Sequence, residues 1–451
     1  MVERQELKGI WNIPGDSKSH SGLLTFEPDS NPTLEIIGDS LASFAKHEIE
    51  LIQGRTTKGF VTLIDVRRQS GSYSNETYTG ITKYQPTFIM VGHSYDSVNE
   101  IKFDSVKFTA FNLIEWVNSD SITHENAAGN HSIAYKNPVE IPFTISDNLS
   151  AKIVFSLDGE TADYQKRISL QQSCSIIFDY KIEQPFKTIL QDIIKFTGLI
   201  TLCTYEQSYP VSIEFYNGRL KNNFILSKLQ TEVPQAVECF FRSVFYKPTY
   251  KQRQLHEHLV QFEFVRANLN SVVQRWYKEG IDMQPVIDLL LRPFRDKYNF
   301  SVENFMDVVR AVETFHRRKH NNRVLKITEI EEIKTEIGLS QLDDKLKNVL
   351  LGVTNFLHEP SLHQRLEEMI NLYQTNHFEK MVTDKFQWIK NVKNSRNYYT
   401  HFDIKSEKNA LTGKELFKLS ESLKVLLLSA VFKCLGIPPA ALDKSVEYLI
   451  R

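Results

Sequence analysis

Residues 378–401 read FEKMVTDKFQWIKNVKNSRNYYTH, and this stretch decides the carboxy-terminal half of the chain. Val382, Phe386, Ile389, Val392, Arg396 and Tyr399 recur at steps of three or four residues, the period of one helix face. The spacing predicts a single amphipathic helix running to His401. Arg396 continues its apolar stripe, and a guanidinium on a core-facing position needs a carboxylate, a phosphate or a subunit interface to meet. A structural ion pair is one such fate and a reactive centre another; periodicity leaves both open.

Working outward, helical periodicity extends through most of the chain beyond Pro248. RQLHEHLVQFEFVRANLNSVVQRWYKEG is charged and periodic, and is expected to stop at Gly280 in the manner of a helix end. QPVIDLLLRPF, VENFMDVVRAVETFHRRKH, LDDKLKNVLLGVTNFL, LHQRLEEMINLYQ and GKELFKLSESLKVLLLSAVFKCLG follow, and their short connectors favour a bundle of antiparallel neighbours. Phe305, Val308, Val309, Val312 and Phe315 form one buried stripe. Beside it Glu313, His316, Arg317 and His320 share a face at spacings of three, four and seven. That face is expected to be solvated, the usual fate of a charge run. Alternatively Glu313 orients Arg396 while Arg317 and Arg318 engage phosphates. His316 and His320 are four apart, a spacing compatible with a metal, but no Cys or carboxylate pattern completes a site, so a solvated basic face is the favoured reading.

From Gly22 to about Lys181 the chain alternates instead with period two. GLLTFEP, TLEIIGD, EIELIQG, GFVTLIDV, TFIMVGHS, KIVFSLDG and CSIIFDY are bounded by Gly, Pro, Asp and Asn. Short strands without long intervening helices predict an antiparallel sandwich or open barrel. FKTILQDIIKF after Pro185 is helical, and YPVSIEFYN returns to strand. The expected organisation is α+β and multidomain: a β-rich domain over 1–226, a helical connector over 227–285 and an all-α bundle over 286–451.

Composition narrows the function classes. With 54 Lys and Arg against 55 Asp and Glu, the net charge of −1 excludes the global positive field of a nucleic-acid coat. MVERQELKGIWNIPGD lacks the apolar segment of a secretory signal, and no apolar run reaches membrane-spanning length. Cys174, Cys203, Cys239 and Cys434 are scattered, without a C-x-x-C pair, and a reducing cytoplasm is the natural compartment. Gly54 and Gly59 have phosphate-loop spacing, but Phe60 and Val61 stand where Lys and Ser or Thr are required, so a strand-to-strand loop is expected.

Arg396-Asn397-Tyr398-Tyr399-Thr400-His401 is an R-x4-H string, short enough to recur by chance; Arg253 and His258 match it too. Context separates the two, because Arg253 opens its helix shortly after Pro248, where exposure is unremarkable. SRNYYTH is not accompanied by a serine-hydrolase signature.

At this point the chain resembles the ApeA-type proteins of bacterial anti-phage defence. Residues 286–436 are similar to the ApeA-like HEPN domain through ETFHRR and SRNYYTH. The amino-terminal part is similar to the ApeA amino-terminal domain through LKGIWNIPGD, SGLLTF, QGRTTKGFVTLID and VGHSYDSVNEIKFDSVKFTAFNLIEWV. The resemblance implies a ribonuclease of abortive infection whose catalytic residues are Arg396, Asn397 and His401. Glu313, His316, Arg317, Arg318 and Tyr399 are expected as supporting or RNA-binding residues. It also implies a homodimer with a composite, metal-independent site, no cofactor, RNA as substrate and a phage-derived trigger at the β domain. A catalytically silent HEPN pair is the alternative. Arg396 and His401 point about 140° apart on an ideal helix, so convergence requires a helix end near Thr400 or a second subunit.

Overall fold

The structure, a computed structural model, describes residues 4–15, 17–38, 47–74, 76, 79–119, 121–127, 130–162, 167–226, 229–243, 254–295, 302–320, 324–355, 357 and 359–442. The chain divides into two compact units, Met1–Glu263 and Phe264–Arg451.

In the first unit the alternating segments form a thirteen-stranded sheet among the described residues. The long strand Gly59–Ser74 pairs with Glu48–Thr56 along its first half and with Thr79–Gln85 along its second. From Glu48–Thr56 the ladder passes through Gln5–Asn12, Ser19–Phe26 and Thr33–Gly38 to Thr79–Gln85 and so back to Gly59–Ser74, closing a six-stranded ring. A register shift between Arg68 and Ser70 and a positive φ of 53° at Asp65 accompany the change of partner. The antiparallel β architecture expected from the sequence is present, with part of it closed as a barrel and the remainder open.

Trp11, Leu24, Leu34, Ile52, Val61 and Tyr84 fill the ring. Trp11 lies against Gly54 and Gly22, and a Cβ added at Gly54 would overlap its indole. Gly54→Ala is therefore expected to destabilise this unit by about 2 kcal/mol through overpacking, read as a lowered thermal midpoint; an unchanged midpoint would refute the tight fit. Gly59, at φ 105°, closes the two-residue turn from Thr56, so Gly54–Gly59 is the end of one strand and the tight turn into the next.

Phe88–Val91 carries the ladder out of the ring to Val237–Phe241, then to Pro210–Tyr216, Lys102–Ala110, Arg167–Pro185, Leu149–Ala162 and Ile141–Ser146. Helix α1 (Leu113–Val117) and helix α2 (Phe186–Thr204) belong to this open half. Phe196 of α2 meets Phe108, Phe143 and Phe178 on the sheet. The sheet thus runs past Leu226, where the sequence suggested the β region ends, because Val237–Phe241 joins its two parts.

Helices α3 (Phe262–Arg266) and α4 (Leu269–Arg295) replace the single helix expected from Arg253 to Gly280. Gly280 does not end α4: Val272, Trp276, Met283, Ile287 and Leu290 keep one face buried on both sides of it. Then follow α5 (Val302–Lys319), α6 (Ile327–Leu339), α7 (Asp344–Thr354), α8 (Leu362–Tyr373), α9 (Asn376–Met381), α10 (Lys385–His401), α11 (Ile404–Glu407) and α12 (Gly413–Leu435). α12 is the axis of the bundle, with Leu419, Leu423, Leu426, Ala430 and Val431 buried. The stripe predicted for α5, Phe305 through Phe315, is buried as expected. Among the described residues no helix is long and apolar enough to cross a membrane.

Candidate active site

The stretch 378–401 folds as two helices rather than one. Asp384 accepts a hydrogen bond from the Gln387 amide at 2.9 Å and starts α10 afresh, while Val382 caps the end of α9. This break shifts the helical phase. The buried line of α10 is Trp388, Ile389, Val392 and Ser395, and Phe386 is 69% exposed. Arg396 lies at the edge of that line, half-buried, rather than on its centre as the periodicity suggested.

Two side chains hold the Arg396 guanidinium. Glu313 Oε1 on α5 stands 3.6 Å from Nη2, and Nη1 donates to Asn397 Oδ1 at 3.3 Å. The pairing of Glu313 with Arg396 read from the sequence is present, and Asn397 lies inside the helix. Thr400 Oγ1 returns a bond to the Arg396 carbonyl at 2.7 Å. α10 then ends at His401, where Phe402 turns left-handed at φ 50° and donates its N–H to the Tyr398 carbonyl. His401 is exposed and engages no other side chain among the described residues. Arg396 and His401 thus leave one continuous helix, about 140° apart by its geometry.

The segment after the motif is clipped to α10. Ser395 Oγ accepts from the Leu411 N–H at 3.0 Å, and Tyr399 Oη donates to the Leu411 carbonyl at 2.8 Å. The two clipping residues are four apart and face the same way. Tyr399 also lines a cleft of about 520 Å³ with Asn304, Phe305, Thr412, Leu416 and Phe417. Its hydroxyl is therefore used internally.

The α5 polar face is solvated only in part: Arg317 and Arg318 are exposed, whereas His316 is fully buried and His320 is partly buried. Arg365 Nη1 of α8 donates to His316 Nδ1 at 3.1 Å, which assigns the ring proton to Nε2, bonded to Glu368 Oε2 at 2.8 Å. Glu368 also lies 3.5 Å from His320 Nδ1, and His320 Nε2 meets Tyr373 Oη at 3.0 Å. His316 is therefore enclosed, without a surface to offer RNA: the ring faces α8, and α8 supplies its partners. Arg317 pairs with Glu359 at 2.7 Å, and Arg318 donates to the Asp282 carbonyl. Among the described residues no group of three or more His, Cys, Asp or Glu is placed to hold a metal ion. Of the competing R-x4-H string, Arg253 lies outside the described residues and His258 is buried in the first unit.

Burial holds the His316 imidazole below the ordinary histidine range, outweighing the Glu368 bond that pulls the other way. Below the ordinary pKa of 6.5 the unfolded chain takes up a proton that the folded one refuses. Stability is thus fully present above that pH and falls as acid is added. Denaturation midpoints of the helical unit should drop between about pH 7 and pH 5, with a shallower drop in His316→Gln; equal slopes would refute the assignment.

Arg365 and Glu368 escaped the sequence reading. Arg365 shares a face with Met369 and Tyr373 at steps of four, the same arginine-on-an-apolar-stripe signal that singled out Arg396.

Comparison with known proteins places both units. Residues 6–276, more than half of the chain, match the family described as ApeA N-terminal domain 1, and residues 306–440 match Apea-like HEPN. No curated protein and no solved structure matches the chain. The first match spans the thirteen-stranded sheet from Glu6 onward, and the second contains Glu313, Arg365, Arg396 and His401. With the two matches in that order, the chain belongs to the ApeA family, an ApeA N-terminal domain followed by an Apea-like HEPN domain.

Proposed function

We propose that this protein is a metal-independent HEPN endoribonuclease of anti-phage defence, acting by abortive infection in the cytoplasm. The observation that carries the reading is an arginine oriented by Glu313 and Asn397 on the last turns of a helix whose final residue is an exposed histidine. RNA brings its own nucleophile, the 2′-hydroxyl, so the protein need supply only proton transfer and charge stabilisation. An imidazole can take the 2′-hydroxyl proton and return one to the departing 5′-oxygen near neutral pH. A guanidinium offers paired donors to the phosphorane oxygens as negative charge accumulates there. Asn397 steadies the guanidinium.

Because Arg396 and His401 diverge on one helix, the active centre is composite: a homodimer brings two copies of the motif onto one phosphate through an isologous contact. Exposed Phe402, at 65%, and Ile404, at 83%, flank His401 and suit such a contact. The β-rich unit is the sensor of a phage-derived trigger.

The test is to incubate the purified protein with total cellular RNA in excess chelator and to sequence the new ends. Cleavage should persist and leave a 2′,3′-cyclic phosphate and a 5′-hydroxyl. A requirement for magnesium with 3′-hydroxyl products would indicate attack by metal-bound water instead. The engaged state of Arg396 also suits a silent HEPN pair; the absence of cleavage in the triggered protein would favour that reading.

A further inference from the structure

The cleft beside Tyr399 has two ends of different chemistry. It holds about 520 Å³, within the range of pockets that enclose a small ligand, and lies wholly in the helical unit. One wall is α12, where Gly413, Leu416, Phe417 and Ser420 fall at steps of three, one and three residues and so share a face. The start of α5 adds Asn304 and Phe305, and the end of α10 adds Tyr399. At the amino end of α12 the Thr412 side chain makes no capping bond, so it does not take up the first-turn donors of the helix. Gly413 there has φ 52° and open space where a Cβ would stand. Lys414, exposed and without an ion-pair partner among the described residues, borders the same end. A helix amino end with a lysine beside it attracts an anion.

Two turns further along α12 the cleft is lined by a serine that the protein leaves unsatisfied. Ser420 is 5% exposed, and its hydroxyl has no hydrogen-bond partner among the described residues. A helical serine ordinarily gives its proton to a backbone carbonyl. Ser422 gives it to Leu419 at 2.9 Å, and Ser429 to Tyr373 at 2.6 Å. An enclosed hydroxyl without a partner is destabilising, and a ligand in the cleft supplies one. Buried Asn304 lines the cleft as well, as does Glu421, which Lys424 holds at 2.7 Å. Phe305, Tyr399 and Phe417 give the cleft its aromatic surface.

We infer that this cleft takes one nucleotide of an RNA strand, its phosphate at the amino end of α12 beside Lys414, its base against the Tyr399 and Phe417 rings, and the base edge meeting the Ser420 hydroxyl. Gly413 and Ser420 are seven residues apart, about 10 Å along the helix, which suits the reach of a nucleotide from its phosphate to the far edge of its base. Positive charge, aromatic surface and a hydrogen-bonding group are what a phosphate, a ring face and a base edge require. A strand is favoured over a free nucleotide because Tyr399 is one turn from Arg396 on α10. A chain with one phosphate at Arg396 thereby has a neighbouring nucleotide within reach of the cleft. The inference rests on RNA as the substrate and names the base-reading subsite of that centre.

Equilibrium binding of fluorescent pentanucleotides to the full-length His401→Ala protein, in which cleavage is suppressed, tests it. Changing the base at one position should alter affinity by about fivefold to tenfold, and adding Ser420→Ala should abolish that preference. Ser420→Ala removes a hydroxyl without a protein partner, so its thermal midpoint should stay level or rise, whereas a structural serine would lower it. Lys414→Ala, at an exposed site, should weaken all the oligonucleotides alike by about threefold to tenfold and reduce their salt dependence. Nucleoside 5′-monophosphates, added as competitors, should displace the oligonucleotide. Failure of every pentanucleotide to bind, or affinities that ignore both substitutions, overturns the inference. A nucleoside monophosphate whose binding needs Lys414 and Ser420 but which leaves the oligonucleotide bound overturns it too, in favour of a free nucleotide. Cleavage by the chain with His401 intact separates the two ideas. Binding that depends on Lys414 and Ser420 without any cleavage sinks the nuclease and keeps the subsite; cleavage whose cut sites ignore both substitutions keeps the nuclease and sinks the subsite.

Discussion

His401→Ala is expected to reduce RNA cleavage by about 10²–10⁴-fold, the usual contribution of a positioned general acid or base, with no measurable change in thermal midpoint. The side chain is exposed and engages no other side chain among the described residues, so its removal leaves no buried group unsatisfied. Arg396→Ala should lower cleavage by a similar order, about 10²–10³-fold. Its pairing with Glu313 is half-exposed at 3.6 Å, and losing it should alter stability by no more than about 1 kcal/mol. Arg396→Lys should recover little, because an ammonium lacks the paired donors of the guanidinium. Single-turnover rates on one oligonucleotide, measured beside the melting curves, decide the matter: wild-type rates in His401→Ala and Arg396→Ala would remove both from the active centre.

Arg365→Ala should instead unfold the helical unit while doing nothing specific to chemistry. Its guanidinium is 4% exposed and donates to His316 Nδ1, to Glu359 and to the Pro360 carbonyl. Truncation leaves all three acceptors without it, and breaking such a buried charged network costs about 3 kcal/mol or more, a large share of the stability of a single domain. Arg365→Lys should restore only part, since one ammonium cannot span three acceptors in different directions. Chemical denaturation provides the measurement, and a loss below about 1 kcal/mol would show that the network is not a stabilising element.

The features legible in the sequence were those with a local cause. Period-two alternation between Gly, Pro, Asn and Asp set the strands, and the α5 stripe from Phe305 to Phe315 was read because burial and periodicity coincide there. Ring closure was not legible, because Thr33–Gly38 and Thr79–Gln85 pair across two intervening strands and no local signal marks that pairing. The α9–α10 break had a local signal that went unread: Asp384 followed three positions later by Gln387 is a capping pattern. α6 also went unread, although Ile327, Ile330, Ile333 and Ile337 repeat at helical steps. Around the motif, the Glu313–Arg396 pair followed from complementary charges on two helices. The burial of His316 did not, since only packing against α8 distinguishes a solvated histidine from an enclosed one.

The strand Val237–Phe241 joins Phe88–Val91 on one side and Pro210–Tyr216 on the other. Chains emerge from the ribosome amino end first, so Phe88–Val91 is synthesised well before, and Pro210–Tyr216 shortly before, the piece that seals them together. Until Phe241 has left the tunnel, the nascent sheet presents two unpaired edges, each able to capture a strand from a neighbouring chain on the same message. Completion of the amino-terminal unit is thus timed by translation, and the helical unit, encoded entirely after that strand, is made only once the sheet has the means to seal itself.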